Sequence, residues 1–158
     1  MSSFVSRKGG GNKAEVVLDD VGLREDEMKK PEVAGYVTVD EILDITSWKR
    51  EEIIPYINGR ISIVTTGLKD AIIEVVKLNV LKRWESKENM IDFCKRKGIV
   101  GAHVVSRETL EPDSDFACRN FAPAVGIDKE SVIGTSNGSL VYYIKSQAVN
   151  KVNKKRLK

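Results

Sequence analysis

The sequence predicts an α+β protein. Three observations carry that expectation. Runs of β-branched residues come in neighbouring pairs, RISIVTT at Arg60–Thr66 and AIIEVV at Ala71–Val76 being the clearest. Segments with helical spacing lie between the pairs and do not alternate strictly with single strands. The chain has 158 residues, 41% of them hydrophobic, so one domain with a true core is within reach.

Each element can be justified in turn. Residues 1–13 are polar and carry Gly9, Gly10 and Gly11, which predicts an unstructured lead. Ala14–Leu18, AEVVL, reads as a short strand. Asp19–Lys30 is densely charged and Pro31 breaks it. Val39–Ile45 has Val39, Ile42, Leu43 and Ile45 on one helical face. Ser47 is a candidate N-cap for a second short helix, with Arg50 where a capping box would place Glu, Glu51 and Glu52 in the first turns, and Pro55 as its end.

The short GLKD link between the two β-branched runs predicts that they are neighbours. Leu78–Trp84 fits a helical turn. Lys87–Lys97 is a helix with Met90, Ile91, Phe93 and Cys94 close to one face, basic residues at its C-terminal end and Gly98 as its cap. Ile99–Val105 and Phe116–Phe121 are strands, and Asn137–Lys145 is the last helix. NKVNKKRLK at the end is nearly devoid of apolar residues and reads as a frayed tail.

Bulk properties narrow the function. Net charge is +3, too small to argue for nucleic acid. The basic tail lacks interleaved aromatics, so a solvated tail outweighs nucleic-acid contact. No apolar run is long enough to span a bilayer, and the first residues have no signal-peptide core. Cys94 and Cys118 have no CxxC spacing and read as free thiols in a reducing cytoplasm.

The stretch Asp115–Leu140, DFACRNFAPAVGIDKESVIGTSNGSL, carries the most chemistry. It reads as a strand, a loop with acids, and a Gly/Ser/Thr turn opening a helix. Such a turn presents free backbone N–H groups at the positive end of the helix dipole, where a small anion can sit. Gly134, Thr135 and Ser136 form the turn; taken alone, a plain N-cap is the commoner use of such residues. Glu130, just ahead, is either a proton donor or a solvated acid. A working acid or base needs a shifted pKa, and hence enclosure. Arg119 could pair with a carboxylate or make a structural ion pair. Ser139 and Asn137 support the helix start. His103, the one histidine, shares a strand face with Gly101 and Val105, has no metal-ligand spacing, and reads as a core histidine satisfied by its neighbours. Cys118 beside Arg119 could be an activated thiol, but packing is the better reading for both cysteines.

Several blocks, in order, resemble the phenazine-biosynthesis-like isomerases: Ile63–Val76 (IVTTGLKDAIIEVV), Gly98–Val105 (GIVGAHVV) and Cys118–Leu140, which resembles the family's R-x-F-A-P…G-I-x-[ED]-[DE]…G-[ST]-x-x-x-x-L pattern. The resemblance covers residues 27–145 and is to the second lobe only; residues 1–26 are an unmatched segment and 146–158 the basic tail. It implies a diaminopimelate epimerase-like lobe, a curved, mostly antiparallel sheet wrapped around a central helix. It implies cofactor-free proton transfer on a small carboxylate metabolite, with no metal. The family acid falls on Glu130, and Gly134 and Thr135 on the substrate-holding turn with Ser136 beside them; Arg119 is a further substrate-binding candidate. Ile133 stands where many members have Thr. The first lobe's catalytic Glu and Gly-His pair have no counterpart. The expected partners are therefore the substrate and either a second copy or a separately encoded first lobe. The alternative is a catalytically inactive remnant that only associates.

Overall fold

In the computed structural model, the described residues are 2–3, 14–15, 32–65, 67–85, 87–110, 112, 114–122, 127–130 and 139–147. The β-branched runs set the centre. β5 (Arg60–Thr65) and β6 (Lys69–Val75) pair antiparallel across the Gly67 link, with Ile63 opposite Ala71. The remaining strands are β1 (Ser2–Ser3), β2 (Ala14–Glu15), β3 (Glu32–Thr38), β4 (Ile53–Ile54), β7 (Gly101–Ser106), β8 (Ala117–Ala122) and β9 (Ile127–Glu130). The main sheet has seven strands in the order β3-β5-β6-β7-β8-β9, with β4 also on β6. Among the described strand pairs, only β6 with β7 is parallel. The helices that join these strands are α1 (Val39–Ile45), α2 (Leu78–Lys82) and α3 (Met90–Lys97), and residues 139–147 form a fourth, α4. The expected α+β class is what the chain adopts.

Local chemistry accounts for most boundaries. Thr38 caps α1: the Glu41 N–H donates to Thr38 Oγ1 at 3.2 Å, and the Thr38 N–H donates back to Glu41 Oε2 at 2.9 Å. Gly98 closes α3 in the left-handed region, with φ 64°. Asn58 and Gly59, at φ 52° and 72°, make the tight turn into β5, and the Arg60 N–H donates to the Ile57 carbonyl at 3.0 Å.

Gly101 answers to space. A Cβ there would lie 1.9 Å from the Phe121 carbonyl oxygen, so β7 and β8 can approach only with hydrogen at this position.

Three expectations are corrected. The second short helix is a single 3₁₀ turn, Arg50–Glu52; the Lys49 N–H donates to Glu52 Oε2 at 2.8 Å, so Lys49 and not Ser47 stands at its start. Ile53 and Ile54 then leave the helix for β4, because β5 covers only the first half of β6 and β4 takes the vacant half, Ile53 opposite Val75. β3 was not anticipated; a register shift between Val33 and Gly35 interrupts its alternation. Ile91 is 41% exposed, one residue round from the buried Met90, Phe93 and Cys94.

At the ends, Ala14–Glu15 is strand as expected and pairs with Ser2–Ser3; the rest of the lead, including Val16–Leu18, lies outside the described residues. Helix α4 continues through Ser146 and Gln147, residues assigned to the tail; residues 148–158 are outside the described set.

The sheet has two unlike faces. On the outer face Val37, Ile61, Ile63, Ala71, Ile73, Val75, Ala102, Val104 and Phe121 join Ile42, Phe93, Trp48 and Trp84 in one apolar core under α1, α2 and α3. On the inner face Val64, Ile72 and Val105 pack against Leu140 and Tyr143 of α4. One helix seated against the inner face is the lobe arrangement that the resemblance implies.

Candidate active site

The inner face is where polar side chains are buried. Strand alternation places Ser62, Asp70, Glu74, His103 and Asn120 opposite the apolar outer row. All five are 4% exposed or less. Ser139, in the first described turn of α4, is fully buried too. A polar group without water needs a partner or pays a desolvation cost, so this concentration of five on one face, with Ser139 on the helix over it, is not incidental to packing.

The row across the sheet centre is set by register. Ile72 faces His103 across β6 and β7, His103 faces Asn120 across β7 and β8, and Asn120 faces Glu130 across β8 and β9. His103 is fully buried, and among the described residues neither ring nitrogen has a hydrogen bond of regular geometry, nor have the Ser139 and Ser62 hydroxyls. Burial pushes the His103 pKa down to about 4, with the Asn120 side chain opposing the shift, so the imidazole is neutral at physiological pH. The expectation of a core histidine holds for its burial, and Asn120 is the neighbour opposite it.

At the far end of β6, Glu74 is only 2% exposed. Arg107 donates from Nε to Glu74 Oε1 at 2.6 Å, and the Tyr143 hydroxyl donates to Oε2 at 3.4 Å. Gln147 donates from Nε2 to the Tyr143 hydroxyl at 2.5 Å and accepts from Arg107 Nη2 at 3.2 Å. Burial and the neighbouring Glu74 raise the Tyr143 pKa well above its ordinary value, keeping the hydroxyl protonated. None of these four residues stood out as a candidate. The signal was present: Glu74 is the lone acid in an otherwise apolar strand, AIIEVV.

The structure separates the sequence candidates. Glu130 ends β9, in register with Asn120 and one strand from His103. Gly134, Thr135 and Ser136 lie outside the described residues, as does Asn137; they precede the first described helical residue by three to five positions. Arg119 sits between Cys118, which packs towards α4, and Asn120; its own alternation is with Ala117 and Phe121 of the outer face. There it donates from Nη1 to the Lys82 carbonyl at 3.3 Å, capping the end of α2. That position takes Arg119 away from the face that bears Glu130's neighbours. Burial pushes the Cys118 thiol up to about 12, and burial with nearby Asp70 pushes Cys94 up to about 11, so neither is an activated thiol. Among the described residues no group of three His, Cys, Asp or Glu side chains could hold a metal, and no helix is long and apolar enough to cross a membrane.

A profile of the phenazine biosynthesis-like protein family matches residues 38–158. An uncharacterised isomerase of Clostridium acetobutylicum is 32% identical over 89 residues, 55% of this chain and 29% of that protein. The fold superposes on a crystal structure of the Bacillus anthracis phenazine biosynthesis protein of the PhzF family with a TM-score of 0.62 at 20% identity, over 77% of this chain and 44% of that one. This likeness places the chain in the diaminopimelate epimerase-like fold. The chain spans less than a third of the curated relative and less than half of the solved one.

Proposed function

The chain belongs to the phenazine biosynthesis-like family, and on that premise we propose that it serves an isomerase or epimerase that moves a proton on a small carboxylate metabolite without metal or organic cofactor. The observation that carries the reading is the placement of Glu130: it ends β9 on the cross-strand row that runs through Asn120 and buried His103. In this reading the backbone N–H groups at Gly134, Thr135 and Ser136 hold the substrate carboxylate, with the dipole of α4 behind them. Glu130 takes or returns the proton. The row that Glu130 ends carries the neutral imidazole of His103 and so no charge on β7. Arg119 contributes by tying β8 to α2. The reaction takes place in the cytoplasm.

The test is deuterium incorporation. The full chain, incubated in deuterium oxide with a panel of small 2-hydroxy and 2-amino acids, is read by mass spectrometry against Glu130→Gln. Label entering one substrate with the unaltered chain, and at least about a hundred-fold more slowly with the variant, supports the reading. Equal exchange in both removes Glu130 from the mechanism.

A second reading is favoured by one observation. Val141, on α4, is 51% exposed. In that reading the chain only associates, with a second copy or a separately encoded first lobe covering this side of α4. Sedimentation separates the two: a monomer that exchanges deuterium supports catalysis by the chain alone, and an inert dimer supports association.

A further inference from the structure

Helix α4 is held by less than the rest of the fold. Among the described residues the outer core gathers twenty-one buried apolar side chains. The cluster that seats α4 has five: Val64, Ile72 and Val105 from the sheet, Leu140 and Tyr143 from the helix. The two clusters lie on opposite faces, so the loss of one leaves the other in place.

The polar ties divide in the same way. Glu74, Arg107, Gln147 and Tyr143 close a ring of hydrogen bonds. Its short, charge-assisted bond to Glu74 comes from Arg107, at 2.6 Å, and both residues belong to the sheet side: Glu74 to β6, Arg107 directly after β7. The bonds between the helix and that pair are long. Tyr143 donates to Glu74 at 3.4 Å, Gln147 donates to Glu74 at 3.5 Å, and Arg107 donates to Gln147 at 3.2 Å. The 2.5 Å bond from Gln147 to Tyr143 is internal to the helix. Lifting α4 therefore keeps the ion pair, and water can replace the other bonds.

Burial beneath the helix carries a cost that opening relieves. Ser62 lies two residues before Val64 on the same face, and His103 lies two before Val105 and opposite Ile72, so both flank the seat of α4. The Ser62 and Ser139 hydroxyls and both His103 ring nitrogens are buried without a hydrogen bond of regular geometry among the described residues. Each gains a partner when water reaches it.

We infer that residues 139–147 of α4 form a cover that lifts from the inner face as a unit while the outer core stays folded, opening the row of Ser62, His103 and Asn120 to solvent. Nothing in this movement depends on the proton-transfer chemistry proposed above.

The test uses the full chain. Amide hydrogen exchange in urea below the unfolding transition compares residues 140–147 with Ile72–Val75 of β6 and Ala102–Val105 of β7. In parallel, diethyl pyrocarbonate, which acylates a neutral imidazole, reads the uncovering of His103, the one histidine of the chain, by peptide mass. Helix amides are expected to exchange on the order of a hundred-fold faster than the strand amides, with a weaker urea dependence, and His103 to be acylated at a rate that follows the helix. Leu140→Ala, which weakens the seat, raises both rates together on the order of ten-fold or more, and Ser139→Ala, which removes a buried hydroxyl, lowers both. Phe93→Ala, in the outer core, lowers the urea midpoint and leaves the helix rate where it was.

Helix and strand amides that exchange at the same rate with the same urea dependence overturn the inference. Fast helix exchange with His103 acylated only through global unfolding is fraying of the helix and overturns it as well. If Leu140→Ala does not fold, the same criteria are read on the unaltered chain and Ser139→Ala.

Discussion

The two faces of the one sheet are built on different principles. The outer face is a continuous apolar core, closed by three helices and by Trp48 and Trp84, whose rings lie 5.0 Å apart. The inner face has one helix over it and carries Glu74, His103, Asn120 and Ser139 in burial as deep as that of the tryptophans. Burial of apolar surface stabilises without demanding a single geometry, whereas buried polar groups are costly unless each is placed. The comparison teaches where to look for function in such a lobe. One side supplies the free energy that the other side spends on placing polar groups.

The largest effect should come from breaking the outer face. Trp84→Ala removes a fully buried indole and is expected to cost about 3–5 kcal/mol, read as a fall in the midpoint of urea unfolding with the slope unchanged. A similar loss is expected on the inner face from Arg107→Met alone, about 3–5 kcal/mol, because Glu74 is left buried without its countercharge. If Arg107→Met costs no more than a surface substitution, Glu74 does not depend on its partner and the two faces are less different than described. Gly101→Ala joins both faces, since it forces β7 and β8 apart; about 1–3 kcal/mol or more is expected, by the same unfolding measurement.

Acid should distinguish the faces. His103 is held neutral, its pKa pushed from 6.5 down to about 4. The unfolded chain therefore takes up a proton before the folded chain does. Its contribution to stability is intact above the ordinary value and is lost progressively as pH falls from about 6.5 to about 4, at up to ~1.4 kcal/mol per pH unit. His103→Leu should remove that part of the slope; a variant with the original slope would show that other groups carry it. The smallest effect is expected outside both faces: Asp40→Asn breaks an exposed pair with Arg50 and should cost under about 1 kcal/mol.

How much of this was legible depends on range. The β5 and β6 runs, the cap at Gly98 and the buried stripe of α1 were readable because each is a local pattern of period two or 3.6. β3 and β4 were not, because they exist to fill sheet edges that only long-range pairing creates. The Asn58–Gly59 turn is legible too, Asn-Gly being the dipeptide such a turn favours. At the site, the sequence reading put Glu130 in a loop and the structure makes it the last residue of β9, while Arg119, read as a carboxylate partner or a structural ion pair, lies by alternation on the outer face. The Glu74 ring was invisible to motif reading because Glu74 lies 33 residues from Arg107 and 69 from Tyr143, and only the fold brings them together.

The most direct test of the inner face as a carboxylate-binding, proton-moving surface is the amide spectrum of the full chain titrated with 2-hydroxybutanoate. The expected result is a saturable shift concentrated at Gly134, Thr135, Ser136 and Glu130 and absent from the outer-face residues around Trp84. Shifts that do not saturate, or that fall on the outer face instead, would contradict it.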